Sequence, residues 1–146
     1  MEISLDARIT RLEDIESIKQ LKAKYAEICD DMHNPARIAS VFAEDAIWDG
    51  GDFGKAQGHA EIEELFRKFA GMFSFSQHNM MNPIIEIDGD TAKGSWYIMG
   101  PWTLAEGKTE KWYALRYDDE YIKRDGVWKY KHLRVEHRMT AERRPG

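Results

Sequence analysis

Asp30 and His78, a carboxylate and an imidazole 48 residues apart, are the two side chains whose chemistry and placement combine most readily. A carboxylate that accepts a hydrogen bond from one ring nitrogen fixes the histidine tautomer and leaves the other nitrogen as a general base. Asp30 and Asp31 close a long helical pattern that runs through Ile15, Ile18, Leu21, Lys22, Tyr25, Ile28 and Cys29. The helix dipole disfavours a carboxylate at that end by about 0.3–1 kcal/mol. Two adjacent ones exceed what helix ending requires, which points to a working role for one of them. His78 opens a strand-like run, His78-Asn79-Met80-Met81-Asn82-Pro83-Ile84. Each residue sits at an element end beside an apolar face, so the two can meet in one cavity. Spacing alone leaves that contact an expectation.

Other side chains could serve such a base. Tyr25 lies five residues before Asp30, roughly 140° around a helix, and reaches the same space only if the cavity wraps the helix end. It is an acid or hydrogen-bond donor on one reading and a core residue on the other. The last strand pattern alternates Trp128, Tyr130, His132, Arg134 and Glu136 against Val127, Lys129, Lys131, Leu133 and Val135. With the first set inward, Arg134 would hold an anionic leaving group or a carboxylate; the equal alternative is an ion pair with Glu136 or another strand. Trp48, Phe53, Met80, Asn82, Trp102 and His132 are the substrate-binding candidates, an apolar and aromatic lining suited to a ring-shaped ligand. Lys22, on an apolar stripe, reads as snorkelling. Cys29 reads as a small core residue, His33 and His59 as turn or cap residues, and His137 as near-terminal.

The elements that must position these residues follow from periodicity. Residues 7–31 have apolar positions at three and four, a helix stopped by Asn34-Pro35. Residues 35–43 start with proline and make a second, short helix. Asp45 to Trp48 is a short strand, Gly50 to Gly54 a loop, and His59 to Phe69 a third, amphipathic helix. From there the period is two: 77–87, 91–104, 109–123 and 127–138 read as strands. Asp88-Gly89-Asp90 and Asp125-Gly126 are hairpin turns, and Ala105 to Lys108 is a third turn. Pro83 marks a bulge or an edge. Helices followed by an antiparallel meander make one α+β domain over residues 1–146, with helices packed on one face of a curved sheet.

Composition narrows the classes. The chain has 146 residues, 42% of them hydrophobic and 12% aromatic, with a formal charge of −5. That suits a packed core and offers no electrostatic footprint for nucleic acid or an anionic membrane. The basic pair Arg143-Arg144 reads as a solvated tail. One cysteine excludes an internal disulfide, and no His/Asp/Glu cluster shows metal-ligand spacing. No apolar run approaches the roughly 20 residues of a membrane span. The expectations are a cytoplasmic protein with no cofactor and no metal.

The order ααβαββββ, with particular residues, resembles the SnoaL-like branch of the NTF2-like superfamily. The resemblance is carried by Tyr25 and Asp30, Phe42-Ala43-Glu44-Asp45-Ala46, Gly58-His59-Ala60-Glu61-Ile62, His78-x-x-x-Asn82, Asp88-Gly89-Asp90-Thr91-Ala92, and Tyr121 through Lys129. It implies a cone: a strongly bent, mainly antiparallel sheet wrapped round the first helix, with an apolar cavity at the open end. The dehydratase and dehydrochlorinase members look most similar, and they abstract a proton with a His–Asp dyad at the positions of His78 and Asp30. A bile-acid dehydratase has a tyrosine where Tyr25 stands. The second pocket histidine of scytalone dehydratase has no counterpart on the next strand, where Tyr97, Trp102 and Thr103 lie.

The expected function is therefore a cofactor-independent, dehydratase-like lyase acting on a small hydrophobic cyclic molecule of aromatic, polyketide or steroid type. A noncatalytic ligand-binding or scaffolding protein and a ketosteroid-isomerase-like isomerase are the alternatives. The resemblance also implies a homodimer or homotrimer, with Leu133 and Val135 on the outward set of the last strand as the contact.

Overall fold

A computed structural model describes residues 2–143. Helix α1 (Leu5–Asp30) starts with Ser4, whose side chain accepts a hydrogen bond from the Ala7 amide. Its first turns stand clear of the body, with Leu5, Ile9 and Leu12 exposed, whereas Ile18, Lys22, Tyr25, Ile28 and Cys29 are buried in the later turns. The helix ends one residue earlier than its sequence pattern suggests. Met32 and His33 then take positive φ angles of 54° and 48° and reverse the chain. Asn34 caps α2 (Pro35–Ile38), accepting from the Ala36 amide.

The second helix is shorter than expected. A 3₁₀ turn over Ala39–Val41 follows it, and Phe42 and Ala43, read as helical, open strand β1 (Phe42–Asp49) instead. Both side chains are buried, so tertiary packing overrides a weak local preference. A second 3₁₀ turn (Gly51–Phe53) leads into β2 (Lys55–Gln57), and then comes α3 (Gly58–Met72). Four further strands complete the sheet with a fifth short one before them: β3 (Phe73–Ser76), β4 (Asn79–Asp88), β5 (Thr91–Leu104), β6 (Glu110–Arg124) and β7 (Val127–Arg143). β7 runs five residues beyond the sequence expectation and pairs with β6 to Glu110↔Arg143. Arg143 therefore belongs to a strand rather than a tail, and Arg144 lies outside the described residues.

The sheet order is β2-β1-β7-β6-β5-β3, with β4 also on β5. Only the β1–β7 pair is parallel. Strands β3 and β4 share one edge of β5 in a single register, Ser76↔Trp102 and Asn79↔Met99, so they form one strand interrupted at Gln77 and His78. A bulge between Met81 and Ile84, with Asn82 at φ 55°, bends β4 where Pro83 sits. The sheet stays open and wraps α1, an α+β architecture. No described helix is long and apolar enough to cross a membrane.

A second bulge decides which residues face the core. Tyr121 pairs with Tyr130, but Glu120 pairs with His132, so Lys131 is the extra residue. Before it, Trp128 and Tyr130 point inward; after it, Leu133 and Val135 do, at 0% and 7% exposure. The alternation read from sequence carries no such slip, so it assigns His132, Arg134, Leu133 and Val135 to the wrong faces. Leu133 and Val135 are core residues and cannot form an outer-face contact between subunits.

Candidate active site

The helix α1 terminus and the interrupted strand build the site together. Gly100 on β5 has no side chain, and a Cβ there would lie 1.8 Å from the Gln77 carbonyl oxygen. That absence lets the chain press in at Gln77, whose amide donates to the Pro101 carbonyl. His78, the next residue, turns its amide toward Asp30, donating to both carboxylate oxygens at 3.0 Å. The Asp30 carboxylate also accepts from Ser76 Oγ at 3.3 Å and from His78 Nδ1 at 2.6 Å. These donors offset the unfavourable placement of a carboxylate at a helix C-terminus.

Because an ionised carboxylate only accepts, the short contact assigns the ring proton to Nδ1 and leaves the Nε2 lone pair free. The His78 side chain is 6% exposed and Asp30 28%. The imidazole thus reaches inward while the carboxylate keeps some contact with water. Trp102 meets the His78 ring edge-to-face at 4.7 Å and restricts its rotation. Asp31 serves differently, holding Arg37 Nη1 and Asn34 Nδ2 at 2.9 Å on the surface.

His78 opens onto a cavity of ≈ 60 Å³ whose wall includes Tyr25, Trp48, Phe66, Trp102, Tyr113 and Tyr117. The Tyr25 hydroxyl accepts from Trp48 Nε1 at 2.9 Å. Burial, and then the neighbouring Cys29 and Tyr117, hold its proton well above the ordinary tyrosine range. The Trp48 ring lies over Gly50, where a Cβ would come within 2.4 Å of it. The space takes a few waters at roughly 10–15 Å³ each and is far below the roughly 300–1,000 Å³ of a pocket enclosing a large ligand. Admission of a ring therefore requires side chains to swing aside, and Phe53 and Phe73 on the wall are only half-buried.

Of the residues singled out in the sequence, Asp30 and His78 are hydrogen-bonded, and Tyr25, Trp48, Phe53 and Trp102 line the cavity with His78. Four do not join them. Arg134 is half-exposed and pairs with Glu120 Oε2 at 3.3 Å, on the face opposite the cavity. His132, beside it, lies 3.6 Å from Glu120 Oε2. The bulge at Lys131 turns both away. Met80 lies along an outer groove beside Asp30, Arg37 and Asn79, and Asn82 is exposed at the β4 bulge.

Two cavity residues read as bland in the sequence are Cys29 and His33. His33 reads as a turn residue, and it is one. The left-handed turn folds its ring back beneath the helix end, among Phe66, Phe69 and Phe73 and 5.8 Å from the His78 ring. Its Nδ1 is buried without a hydrogen-bond partner. Burial, and then repulsion from the His78 ring when that ring is protonated, pull its pKa down to about 3, so it is neutral. Its place three residues after Asp30 is the signal that could have found it.

The family follows from the chain itself. Residues 10–134 match the SnoaL-like domain model, and the chain belongs to that family. Among solved structures it is similar to a type 2 hexachlorocyclohexane dehydrochlorinase, LinA, at 25% identity and TM-score 0.87 over 93% of each chain. A LinA type 3 dehydrochlorinase from Novosphingobium barchaimii LL02 matches at 24% identity and TM-score 0.85, covering 93% of this chain and 94% of that one. A proposed scytalone dehydratase from Novosphingobium aromaticivorans matches in fold, at 20% identity and TM-score 0.85 over 95% and 93% of the two chains.

Proposed function

We propose that the protein is a lyase that removes a proton and a leaving group from adjacent carbons of a small cyclic molecule. One observation carries the reading: His78 Nδ1 is held by Asp30 at 2.6 Å while the His78 side chain lines an aromatic cavity. Membership of the SnoaL-like family and likeness to dehydrochlorinases support it.

In the step, His78 Nε2 takes the proton and the C–H electron pair becomes the new C=C bond. The C–X bond breaks, and X departs with its electron pair. Asp30 stabilises the imidazolium that forms and keeps the base oriented. A halide leaves unaided, whereas a hydroxyl needs a proton, for which the Tyr25 hydroxyl is the cavity's nearest analogue of an acid. Arg134, turned outward, takes no part.

The test is a panel of single-ring compounds, halogenated cyclohexanes and cyclic β-hydroxy ketones, followed for release of halide or water. Turnover by the wild type and its loss in His78→Ala support the lyase. Binding without turnover in both proteins would make this a ligand-binding member of the family, the second reading, which the small cavity favours. Conversion with no loss of a group, detected as an isomer of unchanged mass, would make it an isomerase.

A further inference from the structure

Cys29, His33 and His78 converge on the cavity wall, and one ligating atom from each lies within 4.8 Å of the other two. Tetrahedral Zn²⁺ with bonds of about 2.3 Å to sulfur and 2.0–2.1 Å to nitrogen needs ligand atoms roughly 3.5 Å apart. Closing that gap takes movement on the order of 1 Å.

Each of the three is poised in its own way. His78 Nδ1 is committed to Asp30, so Nε2 is the atom left to ligate; a carboxylate behind the histidine orients it as in many metal sites. His33 Nδ1 is buried with no partner, an uncommon state for a buried nitrogen. Cys29 is a free, buried thiol that burial pushes toward its protonated form, so a bound cation itself displaces the proton. Its backbone carbonyl, two atoms from the Cα, accepts from Ser76 Oγ and the His33 amide, which fixes the helix end on which the cluster is built. A thiolate at Cys29 and the carboxylate at Asp30 carry two negative charges, so a divalent cation leaves the site neutral in apolar surroundings. One sulfur and two imidazoles select a borderline-soft ion over Mg²⁺ or Ca²⁺. Three protein ligands leave a fourth position facing the cavity.

We propose that Cys29, His33 and His78 form a Zn²⁺-class binding site in which the metal occupies His78 Nε2 and switches off its use as a base. The binding half stands without the lyase reading; the switching half rests on it.

The test titrates Co²⁺ into the chelator-treated full chain. A thiolate-to-metal absorption band in the near ultraviolet, saturating at one equivalent and bleached by Zn²⁺, is expected. Cys29→Ser should abolish the band, His33→Ala should weaken binding at least about tenfold, and Asp30→Asn by about 10–100-fold. Far-ultraviolet circular dichroism and the thermal midpoint, raised by Zn²⁺ in the wild type and not in Cys29→Ser, separate site loss from unfolding. No thiolate band in the wild type, or binding unchanged in Cys29→Ser and His33→Ala, would overturn the site. If the panel gives turnover, Zn²⁺ should abolish it and a chelator restore it. Full activity in the metal-saturated protein would overturn the switch while leaving the site intact. Absence of turnover with the band present would reject the lyase and not the site.

Discussion

Helix α1 carries Asp14, Lys22 and Asp30 to charged partners on the sheet, and the last two of these pairs differ in what each leaves free. Two turns before Asp30, Lys22 reaches Asp119 at 2.8 Å, with both side chains fully buried. The Lys22 ammonium lies 3.6 Å from the Tyr117 ring centroid, and Tyr121 Oη donates to the same Asp119 oxygen at 2.8 Å. Burial pulls the Lys22 pKa down and pushes Asp119 up, and each charge restrains the shift of the other. The pair at the helix end is built from the same kinds of group, yet the His78 ring retains a nitrogen turned toward open space. A pair closed in on all sides by protein rings can only hold elements together. One with a lone pair facing a cavity can exchange a proton.

That contrast is open to breakage. The largest effect expected is on turnover: His78→Ala should lower it by about 10²–10⁴ in a protein that still unfolds cooperatively in urea. Substantial activity in that variant would remove the distinction between the two pairs. Lys22→Met should do the converse, costing about 3–5 kcal/mol of stability because it strands a buried carboxylate. Lys22→Met combined with Asp119→Leu should recover much of that loss, since two apolar side chains can replace a buried ion pair at little cost. Unfolding midpoints of the single and double variants decide it. Gly100→Ala links the regions of backbone and base, since its methyl meets the Gln77 carbonyl. It should cost about 1–3 kcal/mol and also depress turnover by displacing His78. A drop in stability with unchanged turnover would show that the Gln77 carbonyl does not position the base.

The Asp30–His78 contact was legible in the sequence because both residues sit at element ends, where a charged or ring side chain has no periodic reason to be. The four-strand meander was legible through its turns, and β5 has the limits its alternation predicts. What stayed hidden came from backbone irregularity. The bulge at Lys131 reverses the facing of His132 and Arg134, and strict alternation has no term for an extra residue. His33 enters the cavity through two left-handed residues, Met32 and His33, neither of which is a glycine that would advertise the turn. The short strands β2 and β3 have too few residues for a period to register.

His33 gives the pH dependence. Its pKa falls from 6.5 in the open chain to about 3 in the fold, so below 6.5 the unfolded chain takes up a proton that the folded protein refuses. The stability contributed by the neutral ring is complete above pH 6.5 and is lost as pH falls toward 3. The slope due to this residue approaches about 1.4 kcal/mol per pH unit. In chelator, His33→Gln should flatten the acid side of a plot of unfolding free energy against pH. A slope equal to wild type would mean that another group carries the acid sensitivity.

The smallest effect belongs to Arg134. Its guanidinium meets Glu120 where the side chains are 48% and 33% exposed, and exposed pairs of this kind contribute about 0–1 kcal/mol. Arg134→Ala should therefore shift the unfolding midpoint slightly and leave KM and kcat within about twofold. An anion-holding arginine in the cavity would instead raise KM or lower kcat when removed. The measurement thus asks whether the bulge at Lys131 persists when ligand is bound, because only a register slip of one residue along β7 could bring Arg134 back to the side on which His78 works.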